Sequence, residues 1–395
     1  MKICTLTLHL PFNYGNALQQ FSLHKYLLER GYDAEVLSHW FCENEDEILF
    51  FHNRLGKNPF KWIRFLVQCL MFNGQLAQYR RESKIKKWLN GNIRWSIEQG
   101  SNSKFPVEKL THDVIIVGSD QVWNPVYQTS DFFLLGDFSE KIKKIAYAAS
   151  FGSNVFPESR KRLYYDRLAK FSAISMRESS GISILKDMGL SSVQVCDPTL
   201  LHSRDEWCKL LGLPSEIEEK KELMIYFVTP DYKGLWKEAI RIARESGKTV
   251  HVYAFIWSNW IDCRWRPGRQ AIRRCLANCY VRLMLFFSGV RLHFSADPTD
   301  FVKRIATCEG VITDSFHGMM FATIFEKKCN VVIGEHPERQ QMSARLKDFA
   351  RDYGNQEIFT EKMNLSALRK LNINDNLKQL ILNSKQWIVT NIKIR

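Results

Sequence analysis

No run of apolar residues in this chain is long enough to cross a bilayer; the longest, residues 65–72 and 283–287, fall well short of the roughly 20 that a spanning helix needs. The first eight residues contain alternating threonines and lead to Pro11 without a small-residue cleavage site, so they read as an opening strand and not as a signal peptide. Ten cysteines are scattered without a Cys-x-x-Cys pair, and the nearest two, Cys275 and Cys279, have no further Cys or His at zinc-site spacing. They read as reduced thiols of a cytosolic protein, with no metal site. A Gly-x-Gly-x-x-Gly fingerprint and a Walker lysine are also missing, which argues against a dinucleotide cofactor and against P-loop chemistry. Acidic residues are the last shortage: 42 Asp and Glu stand against 56 Lys and Arg, a net charge of +14.

That excess is concentrated. Residues 54–94 hold ten basic residues and one acid, and residues 256–295 hold seven and one, so the remainder of the chain is nearly neutral. Both segments are rich in aromatics, Trp62, Phe65 and Trp88 in the first, with Trp95 just after it, and Trp257, Trp260, Trp265, Tyr280 and Phe286 in the second. Surface of this kind serves nucleic acid, anionic lipid or a phosphate-bearing acceptor. The plainer alternative is a solvated helical face packed by its apolar stripe.

What the chain has is length and core-forming content: 395 residues, 45% of them hydrophobic, enough for two domains. Strands alternate with helices, beginning with a strand at residues 2–8, a helix at 17–30 with Gly31 beyond its end, and a strand at 34–37. Further strands are expected at 113–117, 144–149 and 173–176, and helices at 158–170 and 180–188, a pattern that implies parallel sheets. The alternation restarts after residue 201 with strands at 223–228, 249–254, 310–313 and 329–333 and helices at 234–246 and 300–308. The polar stretch 213–222 reads as a linker. The resulting division is an N-terminal domain 1–205 with a basic helical insertion at about 45–100, a C-terminal domain 222–375, and a helix 376–395 returning to the N-terminal domain.

In parallel α/β domains ligands bind beyond the carboxyl ends of strands, and the polar clusters occur at those ends. Asn13 to Asn16, Gly118 to Trp123, Ser150 to Gly152, Arg177-Glu178 and Asp314 to His317 all follow expected strands. The most informative is Asp314-Ser315-Phe316-His317-Gly318, set between Gly310-Val311-Ile312-Thr313 and a helical run. A helix start there presents unpaired N–H groups to an anion, and His317 can move a proton near neutral pH. Arg177 is a natural fork for a carboxylate or phosphate; the alternative is an ion pair with Glu178 or Asp197. Asp120 is either a functional carboxylate or a turn former, and Trp123 either a sugar platform or core.

The ordered set Asn13 to Gln19, Val117 to Asn124, Ala146 to Gly152, Ser175 to Glu178, Asp197-Pro198-Thr199 and Thr313 to Gly318 resembles the polysaccharide pyruvyl transferase family over roughly residues 1–345. The resemblance implies an α/β fold of two Rossmann-like domains in a GT-B-like arrangement, with the active site in the interdomain cleft. It implies phosphoenolpyruvate as donor and a pyruvate ketal on two sugar hydroxyls as product, with His317 and Arg177 contacting the donor. On this reading His317, Asp314 and Arg177 are catalytic, and Arg177, Ser315, His317 and Gly318 hold the donor. Asn13, Tyr14, Asn16, Asp120, Gln121, Trp123 and Ser150 line the acceptor side. No cofactor is expected. Expected partners are phosphoenolpyruvate, a saccharide acceptor linked to a polyprenyl phosphate, and an anionic membrane surface at the inner face of the plasma membrane, without nucleic acid. Two other readings stay open: a GT-B glycosyltransferase using a nucleotide sugar, and a non-catalytic basic protein that binds membrane or nucleic acid.

Overall fold

The computed structural model describes residues 1–9, 13–37, 74–96, 110–136, 138–228, 235–254, 283–333, 346–350 and 356–393. Cys275, Cys279, Trp62, Phe65, most of the insertion expected at 45–100 and most of segment 256–295 lie outside them. The N-terminal unit is built on six parallel strands, β1 (Lys2–Leu6), β2 (Asp33–Val36), β3 (Val114–Val117), β4 (Lys143–Ala149), β5 (Ala173–Met176) and β6 (Val193–Gln194), in the order 2-1-3-4-5-6. Its helices are α1 (Tyr14–Glu29), α2 (Gly74–Asn92), α3 (Glu158–Leu168), α4 (Ser179–Asp187) and α5 (Arg204–Leu211).

The second sheet contains β7 (Lys220–Phe227), β8 (Thr249–Ala254), β9 (Val290–Leu292), β10 (Cys308–Thr313), β11 (Lys328–Val332) and β12 (Phe359–Thr360), in the order 12-11-10-7-8-9. All pair in parallel, and β13 (Arg369–Lys370) adds antiparallel to β11. Helices α6 (Leu235–Ser246), α7 (Pro298–Thr307) and α8 (Phe316–Ile324) connect them, and α9 (Asp375–Ile392) follows. The polar stretch read as a linker differs in one respect: β7 already begins at Lys220, because Lys220 pairs with Cys308 at the start of β10.

Local sequence explains the helix limits. Asn13 caps α1, its Oδ1 accepting from the Gly15 and Asn16 N–H groups. Ser203 and Glu206 form a capping box on α5, which ends on Gly212 in the left-handed region. Asp297 followed by Pro298 starts α7.

Helix α1 is apolar on most sides because it lies between the two units. Leu18, Phe21, Leu23 and Leu27 are all buried, each contributing about 1.5–3 kcal/mol relative to exposure. Two of its buried polar side chains reach the residues after β1: Gln19 Nε2 donates to Thr7 Oγ1 (2.9 Å), and Gln20 Nε2 meets His9 Nδ1 (2.7 Å). Helix α2 also bridges the units, with Trp88 against Phe21 and its indole N–H donating to Thr299 Oγ1 of α7 at 2.8 Å. Helix α9 packs on the first sheet, where Ser384 Oγ accepts from the Cys196 N–H (2.8 Å), Trp387 meets the Tyr147 ring, and Ile388 and Ile392 are buried.

Candidate active site

Each sheet reverses its strand order once, between β1 and β3 in the first and between β7 and β10 in the second. Such a reversal opens a crevice beyond the strand ends, because the connections leave in opposite directions. At the first, Thr7 Oγ1 donates to the Ser119 carbonyl (2.8 Å); at the second, the Val228 N–H donates to Asp314 Oδ1 (2.7 Å). The polar clusters identified in the sequence lie at these two places.

His317 occupies the first turn of α8 and is buried. Ser315 caps that helix by accepting from the Gly318 N–H (3.3 Å), while the Ser315 N–H donates to Thr313 Oγ1 (3.0 Å). The His317 ring lies directly against Gly15 of α1: a Cβ there would overlap its Nδ1, Cγ and Cβ atoms. Glycine is therefore required at position 15 by a close approach between the units. Gly318 is confined similarly by Thr313 and Tyr226.

The carboxylate facing His317 is Asp197, whose Oδ2 is 3.6 Å from Nε2. Asp197 is a hub. Its Oδ1 accepts from the Thr199 N–H (3.0 Å) and Oγ1 (2.7 Å), and its Oδ2 from Arg177 Nη1 (3.1 Å) and Ser119 Oγ (3.3 Å). Burial pushes its carboxyl upward, but the His317 ring, the Arg177 guanidinium and the Thr199 N–H together hold it well below the usual carboxylate range.

Arg177 is ringed by acids. Besides Asp197 it approaches Glu178 Oε2 (3.4 Å) and Asp120 Oδ1 (3.5 Å), and its guanidinium stacks over Phe316 at 4.4 Å. The expectation of an open anion fork is corrected here: the side chain is 2% exposed and most of the fork is turned toward carboxylates. A buried guanidinium has to be compensated this way. Nη2 keeps no hydrogen-bond partner among the described residues, and neither does His317 Nε2. Two buried nitrogen atoms of the same cluster are thus left with unused bonding capacity, as a ligand site requires.

Asp314 remains half-buried and ties the ends of β7 and β10 together. Of the residues expected on the acceptor side, Tyr14 and Trp123 belong to the core. Tyr14 is stacked on Phe301 (4.7 Å) beneath Arg81 with its hydroxyl on the Ala296 carbonyl, and the Trp123 indole N–H donates to the Phe133 carbonyl (3.1 Å). Both rings are 0% exposed, so neither can be a sugar platform. Ser150 is buried on Glu178, and Asn16 Nδ2 donates to Asp120 Oδ2 (3.4 Å). Asn13 and Gln121 are half-buried, Gln121 Oε1 accepting from Asn124 and Tyr127. Asp120 itself is held at a φ of +70°, a conformation its short side chain tolerates.

Sequence reasoning did not give Asp197 its central place, nor Gly15 its contact. The Asp-Pro-Thr motif carried the signal for the first, since Asp followed by Pro starts a short 3₁₀ turn at Pro198–Leu201. The six motifs are brought together around one histidine. A family profile described as polysaccharide pyruvyl transferase matches residues 13–336, most of the chain.

The chain belongs to that family. Transferase chemistry is accordingly the setting in which the family's chain presents this cluster. No curated protein matches it. Among solved structures it is similar to the UDP-GlcNAc 2-epimerase of Neisseria meningitidis bound to UDP-GlcNAc, at 13% identity and a TM-score of 0.51, covering 99% of each chain. The UDP-GlcNAc 2-epimerase of Methanocaldococcus jannaschii in complex with UDP-GlcNAc and UDP has 11% identity and a TM-score of 0.45, covering 100% of this chain and 94% of that one. The first of these likenesses establishes the fold: α/β, with two Rossmann-like layers arranged as in GT-B proteins.

Proposed function

We propose that the protein transfers pyruvate from phosphoenolpyruvate to two hydroxyls of a sugar in a cell-surface polysaccharide or its precursor, forming a ketal. The observation that carries this reading is the meeting of six family-like motifs, from both sheets, around His317. In the proposed reaction a proton is delivered to the methylene carbon of the donor, which becomes a methyl group while positive charge develops on the adjacent carbon. One sugar hydroxyl adds there and loses its proton, phosphate leaves with its bridging oxygen, and the second hydroxyl closes the ketal and loses its own proton. Of the two hydroxyl protons released, the methyl group balances one and the departing phosphate the other. His317 carries these protons as general acid and base. Asp197 faces Nε2 at 3.6 Å and supports positive charge on the ring without a hydrogen bond to that nitrogen. The α8 N-terminus and Arg177 Nη2 receive the donor's anionic groups, and Asp120, Asn13 and Gln121 face the acceptor.

The test is phosphoenolpyruvate-dependent release of inorganic phosphate against a panel of saccharides, with mass detection of the ketal. Release of a nucleotide from a nucleotide sugar instead would replace this reading with glycosyl transfer. Arg177→Lys keeps the charge but cannot serve three carboxylates and a ligand at once. Donor titration is expected to show an apparent Michaelis constant raised about tenfold or more; an unchanged constant would make the guanidinium purely structural.

In this reading the enzyme works in the cytoplasm, at the inner face of the membrane that holds a polyprenyl-phosphate-linked acceptor. Among the described residues no helix is long and apolar enough to cross a membrane. Phe286 and Phe287 are 59% and 78% exposed next to Arg291, and the basic stretch 256–282 precedes them in sequence. In the other basic segment Arg81 cannot contribute, being buried over Tyr14, whereas Arg80, Lys84 and Lys87 are exposed. Exposed rings beside cations suit an anionic interface, each cation adding about 1 kcal/mol. Flotation with anionic vesicles at low salt is expected to carry the protein, and Phe286→Ser with Phe287→Ser to release it. Equal flotation of the double variant would remove these rings from membrane contact.

A further inference from the structure

A second concave region lies outside the His317 cluster. It is a cleft of about 450 Å³ lined by Lys84 of α2, Lys220 of β7, His293 just after β9, and Asp300, Lys303 and Arg304 of α7, among others. Its size is that of a small-ligand site. Four cations line it against one carboxylate. Arg304 is engaged, with Nη1 at 2.5 Å from Glu222 Oε2 and 3.3 Å from His251 Nε2. Lys84, Lys220 and Lys303 make no ion pair among the described residues, although lysines of the same fold such as Lys248, Lys327 and Lys328 each have a carboxylate partner.

These three lysines, which come from three separate elements and outnumber the one carboxylate of the lining, repel one another, and an anion placed among them relieves that repulsion. Two histidines lie beside the cations. His251 Nδ1 and His293 Nε2 are 2.8 Å apart, and both rings are held down to about 4, first by burial and then by nearby positive charge that includes Arg304. His293 is therefore neutral at neutral pH and offers hydrogen bonding in place of another charge. The cleft also adjoins the His317 cluster. Ala296 lines it and accepts a hydrogen bond from the Tyr14 hydroxyl at 3.1 Å, and the next residue, Gly15, touches the His317 ring.

We propose that this cleft binds a phosphate- or diphosphate-bearing ligand through Lys84, Lys303 and Arg304. The binding is independent of whether the neighbouring site transfers pyruvate. Two sources share the chemistry, a carrier-linked glycosyl diphosphate and a free nucleoside diphosphate.

Calorimetric titration of the full chain with inorganic pyrophosphate tests it. Saturable binding is expected, weakened about tenfold or more by Lys84→Ala with Lys303→Ala and unchanged by His317→Gln. Both lysines are exposed, so circular dichroism of the double variant should match that of the parent chain. Absence of saturable binding up to about 10 mM, or binding insensitive to the two lysines, overturns the proposal. Loss in His317→Gln does so as well, because it assigns the anion to the other site. Competition by a short-chain prenyl-diphosphate sugar or by uridine diphosphate supports the proposal in either case and tells which source the cleft prefers.

Discussion

His317→Gln is expected to lower turnover by about 10²-fold or more while leaving the fold intact, the loss typical when a general acid or base is removed. Glutamine preserves polarity and much of the volume, so the packing against Gly15 and Phe316 should persist. A companion substitution separates chemistry from position. Gly15→Ala leaves the imidazole in the chain but puts a methyl group where the ring now lies, so the ring must shift from its present position. A displacement near 1 Å can cost about 10²-fold when geometry controls the rate. The paired measurement is kcat by phosphate release together with thermal unfolding. Near-normal turnover in folded His317→Gln removes the histidine from the mechanism, and near-normal turnover in Gly15→Ala shows that its position there is not critical.

Asp197→Asn should have the largest effect on stability. It removes one of the three carboxylates around a guanidinium that water does not reach. The cost should be about 3 kcal/mol, the lower end for breaking a buried pair, because Arg177 keeps Glu178 and Asp120. The pH dependence has a definite sign. The Asp197 carboxyl is depressed in the folded state, so its contribution is complete above the unfolded value of about 3.9 and is lost as pH falls toward the folded value. Urea unfolding of parent and variant should therefore differ by a constant amount from neutral pH down to about 5, with the gap closing on further acidification. A gap that stays constant in strong acid would show that the carboxylate is not stabilised as the geometry indicates.

Most of the strand and helix framework was legible in the sequence, for a physical reason. Buried parallel strands such as Val114–Val117 are nearly continuous apolar runs, and helices such as Leu235–Ser246 carry a clear stripe. The weak elements were not legible: β6, β12 and β13 are two residues long, and β9 three. Their pairing depends on neighbours that no local pattern reveals. The site residues were legible as types and positions, but their partners were not. Arg177 could be read as a free fork or a paired one, because that choice rests on Asp120 and Asp197, which are distant in sequence. Tyr14 and Trp123 were misread for a related reason. An aromatic ring in a polar motif looks like a sugar platform until Phe301 is seen stacked on Tyr14, and Phe151 and Phe171 against Trp123.

The return of α9 to the first sheet has a consequence for how the chain matures during synthesis. Residues 375–392 cover the Tyr147 ring and satisfy the Cys196 N–H, both parts of a sheet whose strands are complete by Gln194. A ribosome adds about 5–20 residues per second, so the nascent first layer waits on the order of ten seconds or more, with that face open, while the second sheet is made. The two halves are therefore finished in the reverse of their order in the sequence. A chaperone that shields the β4 and β6 face during that interval would be acting in place of a helix not yet translated.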